Sequence, residues 1–248
     1  MTRADGRNPS QIRPVSFELN YAPFAEGSVL ISAGSTRVLC AATLEERIPT
    51  WMAEKKRGWV TAEYAMLPRA TMNRTNRERS RNSGRTHEIQ RLIGRSLRAV
   101  TWLEKLGERQ VICDCDVIQA DAGTRTAAIT GSWVALAQVG DRLLKNGLIS
   151  EFPLHDQVAA VSVGLVDGEV LVDLDYTEDT RAQVDLNLVM TGRGQLVEVQ
   201  GTAEGAPFSR SDLNRMLDAG WAGLERLFLA QRQALETAGV TLPFLAPA

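Results

Sequence analysis

The sequence has little cysteine, little histidine, no long apolar run and no excess of either charge. Three cysteines in 248 residues are an odd, low number, which argues against a disulfide framework and favours a reducing compartment. No apolar run approaches the roughly 20 residues that cross a bilayer. The first residues are polar and carry arginine instead of an apolar signal core. We therefore expect a soluble, cytoplasmic protein without a membrane partner.

The common catalytic motifs are missing as well. The two histidines are His87 and His155, and no GxSxG, HExxH, Walker A or GxGxxG pattern occurs. Cys113 and Cys115 would share one face of a strand, where a buried structural role is favoured over metal binding because no second ligand pair is found. A net charge of −2 gives no global attraction to nucleic acid, so such a partner would need a local basic patch.

The pattern of apolar residues predicts an α+β fold. Alternation and turn signals predict strands over residues 15–19, 29–32, 37–44, 59–66, 111–120, 157–166, 169–174, 184–190 and 195–201. Helical spacing predicts helices over residues 86–106, after the turn at 121–126, and over 211–235. Residues 68–84 hold almost nothing apolar and predict a mobile loop. Both halves, about 1–147 and 148–248, have strands followed by a helix, which indicates one domain of two similar sheet-plus-helix layers.

The central segment, residues 109–146, has the pattern of a strand, a tight turn and a long helix. Gly123 can adopt backbone angles that other residues avoid, and the hydroxyl of Thr124 or Thr126 can cap the helix. The free amides and the dipole at the start of the helix would bind an anion such as phosphate, with Arg125 beside it. An ordinary capped helix that carries an arginine is the alternative.

An arginine-rich segment follows the first group of strands. Nine arginines lie between Arg69 and Arg98, against two glutamates. Arginine binds phosphate through paired hydrogen bonds, so the patch predicts a polyanionic partner. A solvated loop or an arginine-rich subunit contact is the alternative. The candidates for polyanion contact in the loop are Arg69, Arg74, Arg77, Arg79 and Arg81.

The second half contains a run of acids, namely Asp173, Asp175, Glu178, Asp179 and Asp185. Asp173 and Asp175 would share one face if they lie on a strand. Clustered carboxylates beside a phosphate site can hold Mg²⁺, or one of them can protonate a leaving oxygen. A charged turn is the alternative. Together with the arginines and the helix start, the acids indicate phosphoryl chemistry on a nucleic acid, performed by positioning and charge stabilisation.

Six segments occur in order over almost the whole chain: residues 3–7 (RADGR), 68–71 (PRAT), 84–95 (GRTHEIQRLIGR), 119–126 (QADAGTRT), 175–179 (DYTED) and 198–204 (EVQGTAE). They resemble the ribonuclease PH family, whose relatives are polynucleotide phosphorylase and the exosome ring subunits. The resemblance implies an RNase PH-type fold with mixed sheets. It also implies a phosphate-dependent 3′-to-5′ exoribonuclease that trims tRNA precursors and releases nucleoside diphosphates, while the reverse reaction adds nucleotides to RNA.

The resemblance further implies the site residues. Inorganic phosphate, the co-substrate, would be bound by Arg85, Gly123, Thr124 and Arg125. Asp179 and Asp185 would be the acidic pair, with Asp185 as a ligand of Mg²⁺ and Asp179 as acid or second ligand. RNA would contact the loop arginines. A homohexamer, built as a trimer of dimers, is implied by the family alone.

Two other functions stay open at this point. A non-catalytic RNA-binding ring subunit would lack the phosphate arginine or the acidic pair, whereas this chain has both. A hydrolytic ribonuclease would use water, and the phosphate site would then have no ligand. The released nucleotides separate the three functions, because phosphorolysis gives diphosphates, hydrolysis gives monophosphates and a binding subunit gives none.

Overall fold

Strands from the two halves of the chain form two separate sheets in a computed structural model, which describes residues 3–77 and 83–245. The first sheet contains β1 (Val15–Leu19), β2 (Gly27–Ala33), β3 (Thr36–Glu45), β4 (Trp59–Met66) and β5 (Gln110–Gln119). The second contains β6 (Val158–Val166), β7 (Glu169–Val172), β8 (Val184–Thr191) and β9 (Leu196–Ala203). The helices are α1 (Gly84–Arg98), α2 (Thr124–Lys145), α3 (Tyr176–Asp179) and α4 (Arg210–Thr237). This arrangement confirms the α+β class. Among the described residues, no helix has the length and apolarity to cross a membrane.

The first sheet has the order β1-β2-β3-β5-β4 and is mixed, because β4 and β5 are parallel while the other pairs are antiparallel. Parallel neighbours need a crossover connection, and α1 provides it. On β5, Cys113 and Cys115 are buried on one face, as the alternation predicted. Together with Cys40 on the neighbouring strand, they are free thiols in the core of the first half.

Helix α1 is shorter than the sequence predicted. It ends at Arg98 instead of residue 106, and a separate 3₁₀ turn follows at Leu103–Leu106. Between them the carbonyl of Val100 accepts a hydrogen bond from His155 N, at 3.0 Å. This tertiary bond to the loop before β6 replaces a helical one. The predicted end was therefore wrong, because apolar spacing continued past the point where the backbone leaves the helix.

Helix α2 is buried on nearly all sides from Thr124 to Gly140. It packs against β2 and β3 of the first sheet and against β6 of the second. Glycine permits close approach between this helix and its neighbours. A Cβ on Gly131 would lie 2.8 Å from Cys40 Sγ, and one on Gly27 would lie 2.1 Å from the Ala135 carbonyl oxygen. The packing fixes the start of α2 where the two halves meet.

The second sheet has the order β7-β6-β8-β9 and is antiparallel throughout. Its first hairpin turns at Asp167 and Gly168, whose φ angles of 50° and 82° suit the predicted two-residue turn. Leu224 and Phe228 of α4 are buried against the inner face of this sheet. The sheet and α4 thus form the second layer, and β8 brings its acidic residue to the junction with the first.

The N-terminal arm, residues 3–14, buries its arginines. Arg3, Arg7 and Arg13 are 5%, 6% and 4% exposed. The guanidinium of Arg3 donates to both carboxylate oxygens of Glu178, at 2.6 and 2.5 Å, and to the carbonyl of Val172 at 2.8 Å. Because a buried charge is costly unless it is paired and hydrogen-bonded, these contacts explain how the arm lies inside the protein.

Removal of Arg3 tests the contribution of this pair to folding. Arg3→Met leaves the Glu178 carboxylate buried without its bidentate partner, although Arg7 remains 3.6 Å away. We expect the free energy of unfolding to fall by about 3 kcal/mol. Replacing both residues, with Arg3→Met and Glu178→Leu, should restore most of it. Urea unfolding measures the three proteins, and equal stability of Arg3→Met and the wild type would contradict the prediction.

Candidate active site

One open pocket lies where the two halves meet, with a volume of approximately 640 Å³. Six residues that the sequence assigned to the site line it: Arg85, Gly123, Thr124, Arg125, Asp179 and Asp185. They come from α1, from the start of α2, from the end of α3 and from β8. Arg85 and Arg125 belong to the first half of the chain and Asp179 and Asp185 to the second, so the pocket depends on the assembly of the two halves.

The turn that opens α2 has a left-handed backbone. Ala122 and Gly123 have φ angles of 53° and 63°, and no side chain caps the helix at Gly123. The predicted hydroxyl cap was wrong, because Thr126 Oγ1 instead donates to the carbonyl of Gly123, at 2.8 Å. Thr124 Oγ1 is hydrogen-bonded to the hydroxyl of Tyr64, also at 2.8 Å. The amides and the dipole of the first turn are therefore free of a side-chain cap and suit an anion in the pocket.

Tyr64, on β4, supports this turn from the core. It is 4% exposed, and burial raises the pKa of its hydroxyl, so it stays a neutral hydrogen-bonding partner of Thr124. The hydrogen bond with Thr124 and the positive charges of Arg85 and Arg125 oppose this rise in pKa. Both guanidinium groups therefore act on the same phenol, which places two cations near the start of α2.

Arg125 is held in position by two side chains. Its Nη1 donates to Gln200 Oε1 at 2.7 Å and lies 3.4 Å from Glu88 Oε1. Gln200 Nε2 also donates to Glu88 Oε1, at 3.3 Å, which closes a small network. Within the described part of the chain, Arg125 makes both contacts through Nη1. Its guanidinium, 13% exposed, thus keeps donors for an anion.

Arg85 lies in the first turn of α1 and lines the same pocket. Ser83 caps this helix, since its Oγ accepts a hydrogen bond from Thr86 N at 3.1 Å. The cap fixes the helix start, while the side chain of Arg85 is exposed to the pocket. Arg85 can therefore contribute a second guanidinium to an anion that approaches from solvent.

Asp179 and Asp185 form the acidic side of the pocket. Burial raises the pKa of Asp179, and the nearby Arg85 and Arg125 oppose that rise. Burial also raises the pKa of Asp185, the charge of Asp179 raises it further, and the same two arginines oppose the rise. Each carboxylate is half-buried, and the charge of Asp179 disfavours ionisation of Asp185, so the pair suits either a proton or a bound cation.

The other acids of the run have structural partners. The predicted shared strand face of Asp173 and Asp175 was wrong, because Asp173 follows the end of β7 with a φ of 56°. Its carboxylate is paired with Arg13, with 2.7 Å between Oδ1 and Nη2. Asp175 caps α3 by accepting from Glu178 N at 2.9 Å. Only the last two acids of the run line the pocket.

Three loop arginines belong to the described residues, and all three are exposed and lie outside the pocket lining: Arg69, Arg74 and Arg77. Arg79 and Arg81 lie outside the described residues. The start of the loop is fixed beside the turn that precedes α2, since Ala120 N donates to the carbonyl of Ala70 at 2.8 Å. Met72 lines the pocket from this loop, so the loop begins at the pocket mouth.

Several pocket residues were missed by the sequence analysis. Asn187 and Ser162 line the same pocket. Asn187 follows Asp185 by two positions on β8, so strand alternation places both on one face and could have identified it. Gln200 orients Arg125 from 75 positions away. Its role depends on a contact between the halves, for which the local sequence has no signal.

Comparison with known families gives matches over both halves. The 3′ exoribonuclease family, domain 1, matches residues 11–140, and domain 2 of the same family matches residues 156–223. Proteins named ribonuclease PH from Synechococcus sp. and Moorella thermoacetica are 58% and 57% identical to the chain. The first alignment covers 94% of each chain, and the second covers 95% of each.

Solved structures share the fold at lower identity. Rice (Oryza sativa) Rrp46 superposes with a TM-score of 0.78 at 22% identity, covering 94% of this chain and 100% of that one. The Archaeoglobus fulgidus exosome with RNA bound to the active site gives 0.77 at 20% identity, covering 95% and 92%. At these identities the likeness supports the fold, and the relatives named above support the family.

The left-handed turn offers a test with a matched control. Gly123 and Gly147 flank α2 with φ angles of 63° and 67°, but only at Gly123 would an added Cβ meet other groups, with Arg13 Nη2 at 3.0 Å. We expect both alanine variants to lose about 1 kcal/mol of stability through backbone strain. Only Gly123→Ala should also bind inorganic phosphate more weakly, by about tenfold. Isothermal titration calorimetry measures this, and equal affinities of the two variants would exclude the turn from anion binding.

Proposed function

This chain belongs to the 3′ exoribonuclease family, and on that premise we propose that it is a phosphorolytic 3′-to-5′ exoribonuclease that trims tRNA precursors. In reverse it adds nucleotides to RNA 3′ ends. The observation that carries the proposal is that the uncapped start of α2 and Arg125 share one pocket with two carboxylates. The cations and the helix dipole suit binding of the attacking phosphate, while the acids suit stabilisation of the leaving 3′ oxygen.

Inorganic phosphate is the nucleophile in this mechanism. It is partly dianionic near neutral pH, so no strong general base is required, which agrees with the absence of a Ser-His or Cys-His arrangement. Arg85, Arg125 and the amides that follow Gly123 hold it beside the terminal phosphodiester. A phosphate oxygen bonds to the terminal phosphorus while the bond from that phosphorus to the 3′ oxygen breaks. The products are a nucleoside diphosphate and an RNA one nucleotide shorter.

The leaving 3′ oxygen needs a proton or a cation as its bond breaks. Asp179 and Asp185 fit either role, because burial and mutual repulsion raise the pKa of Asp185, and burial raises that of Asp179. We assign Asp179 as the acid or second ligand and Asp185 as a metal ligand. A carboxyl group held in the protonated form can donate to the departing oxygen, and the same group accepts that proton in the reverse reaction.

Mg²⁺ is the cofactor that these residues fit. Mg²⁺ prefers oxygen ligands, and one or two carboxylates suffice because it keeps waters and takes phosphate oxygens from the substrate. Asp179 and Asp185, which both line the pocket, would supply the carboxylate oxygens. When bound, it would neutralise negative charge that develops on the reacting phosphoryl group and the leaving oxygen.

The exposed loop arginines extend the site toward the RNA body. The loop begins at the pocket mouth, and Arg69, Arg74 and Arg77 are exposed there. A tRNA carries its backbone charges well beyond the reacting end, so cations outside the pocket bind the body of the substrate and not its terminal nucleotide. We extend this role to Arg79 and Arg81, by position in the same loop.

Assembly and location remain proposals from the family resemblance. We propose a homohexamer, a trimer of dimers, and a cytoplasmic location. Light scattering after size-exclusion chromatography measures the assembled mass directly. A monomer at working concentration would contradict the assembly without affecting the chemistry of the single-chain pocket.

The decisive experiment incubates the protein and Mg²⁺ with a tRNA that carries extra 3′ nucleotides, with and without inorganic phosphate. Nucleoside diphosphates that appear only with phosphate are the expected result. Monophosphates in both reactions would identify a hydrolase. No release by a protein that still binds the tRNA would support the alternative, a non-catalytic RNA-binding ring subunit, which the complete set of pocket residues does not favour.

Asp185→Asn tests the acidic pair. We expect the rate to fall about 100-fold or more in both directions, because phosphorolysis and nucleotide addition share one transition state. Asp114→Asn is the matched control, since Asp114 is also half-buried with a pKa raised by burial but lies outside the pocket. Initial rates in both directions measure the effect. Loss of only phosphorolysis or only nucleotide addition would contradict a role of Asp185 in the transition state that the two reactions share.

Loop arginines are tested by charge removal. Replacing Arg74, Arg77, Arg79 and Arg81 with alanine should raise KM for a full-length tRNA more than for a short oligomer, since only the long substrate reaches beyond the pocket. The dependence of binding on salt should weaken too, because fewer counterions are released. A variant with Arg47, Arg142, Arg215 and Arg226 replaced, all of them exposed elsewhere, controls for net charge. Equal effects on both substrates would contradict the role.

A further inference from the structure

Two turns from different halves supply the opposing sides of the pocket, and Arg13 bridges them. The first is the phosphate turn, residues 121–123, and the second is the acidic turn, residues 173–179. Arg13 Nη1 donates to the carbonyl of Asp121 at 2.5 Å. On its other side, Nη2 and Nε donate to the two carboxylate oxygens of Asp173, at 2.7 and 3.0 Å. One guanidinium fork thus bonds to both turns.

The bridge lies directly against the start of α2. A Cβ on Gly123 would be 3.0 Å from Arg13 Nη2 and 4.0 Å from Asp173 Oδ1. The backbone amide of Arg13 also donates to Asp173, at 2.7 Å to Oδ2. With three bonds to its carboxylate, Asp173 is fixed in its left-handed conformation, and the guanidinium has little freedom to move.

A second contact joins the same two turns. Tyr176 N, in the acidic turn, donates to Asp121 Oδ1 at 3.1 Å. Asp121 therefore accepts one hydrogen bond from the arm, through its backbone carbonyl, and one from the acidic turn, through its carboxylate. Arg13 is 4% exposed and its bond to Asp121 is partly buried, whereas the amide contact of Tyr176 is exposed to solvent. The buried fork is the stronger constraint, because solvent competes less for its hydrogen bonds.

We propose that Arg13 is a positioning residue that fixes the phosphate turn relative to the acid-bearing turn. The identity of the bound anion as phosphate rests on the proposed function. Attack in line with the breaking bond requires the nucleophile and the leaving-group acid to be placed within about 0.5 Å of the productive geometry. Lysine cannot replace the fork, because a single ammonium group does not present two fixed sets of donors.

The test separates positioning from stability. Arg13→Met alone removes the guanidinium partner of the buried Asp173 carboxylate and leaves it only the backbone amide of residue 13 and Arg7, whose Nη1 is 3.9 Å away, so the fold itself is weakened. Arg13→Met combined with Asp173→Leu removes both charges and should regain most of the stability in urea unfolding. Calorimetric affinity for inorganic phosphate should nevertheless stay about tenfold weaker than in the wild type, because the donor to Asp121 is still missing. Arg13→Lys, the milder variant, should also bind phosphate more weakly.

The neighbouring ion pair of the arm is the matched control. Arg3 and Glu178 are a buried arginine and carboxylate that join the same two segments, the arm and the acidic turn. The side chain of Arg3 donates to Gln11, Val172, Asp173 and Glu178. The carboxylate of Glu178 also accepts from the amide of Asp175, so among the described contacts neither side chain bonds to residues 121–123. Arg3→Met with Glu178→Leu should therefore keep wild-type phosphate affinity.

Two results would overturn the proposal. A stable Arg13→Met/Asp173→Leu protein with wild-type phosphate affinity would make Arg13 purely structural. Equal losses of affinity in the control pair would assign the effect to the arm as a whole. Failure of the proposed function is recognised separately: wild-type protein that binds phosphate but releases no nucleoside diphosphate from RNA refutes the activity, while calorimetry still decides on Arg13. Absence of phosphate binding by the wild type refutes both.

Discussion

The burial of helix α2 between the two sheets is the constraint on which the site depends. Because both sides of the helix are packed, its first turn cannot shift to find another partner. The chain places Gly123 at the N-cap position with no side-chain hydrogen bond, although a polar cap would stabilise the helix by about 1 kcal/mol. Without a side-chain cap, the amides of the first turn and the helix dipole are available to bind an anion. Stability from packing thus permits an unsatisfied helix end at the pocket.

The electrostatics of the pocket follow from a division of the acids into two groups. Glu178 and Asp173 are neutralised inside the protein by arginines of the N-terminal arm, at 2.5 and 2.7 Å. Asp179 and Asp185 have no such ion pair among the described residues, and burial raises the pKa of each. The arm therefore does more than stabilise the fold. By pairing Asp173 and Glu178, it leaves Asp179 and Asp185 as the acids of the run that line the pocket without an ion pair among the described residues.

Local features of the site could be predicted from the sequence, whereas long-range ones could not. The turn before α2 and both hairpins of the second sheet follow from glycine positions and alternation, and β1 and β4 have the predicted bounds. Burial of the arm could not be foreseen, because its partners lie 160 and 175 positions away. The end of α1 is set by a backbone bond to another segment, and Thr124, one of the two expected caps, bonds instead to Tyr64 on a distant strand. In these cases a tertiary contact overrode a local preference, whereas Thr126 bonds locally to the carbonyl of Gly123.

In a pocket without a nucleophilic side chain, catalysis depends on how accurately the reacting groups are positioned. If phosphate attacks, the protein contributes placement and charge. The effect of each on the rate falls steeply when the reacting groups are displaced from the productive geometry. This explains why the pocket residues are themselves held: Arg125 by Gln200 and Glu88, and Thr124 by Tyr64. The supporting residues come from strands and helices of both halves and not from flexible loops. A protein that uses its substrate as the nucleophile needs few reactive groups, but it must hold its pocket residues in fixed positions. The buried helix α2 and the paired arginines of the arm hold them.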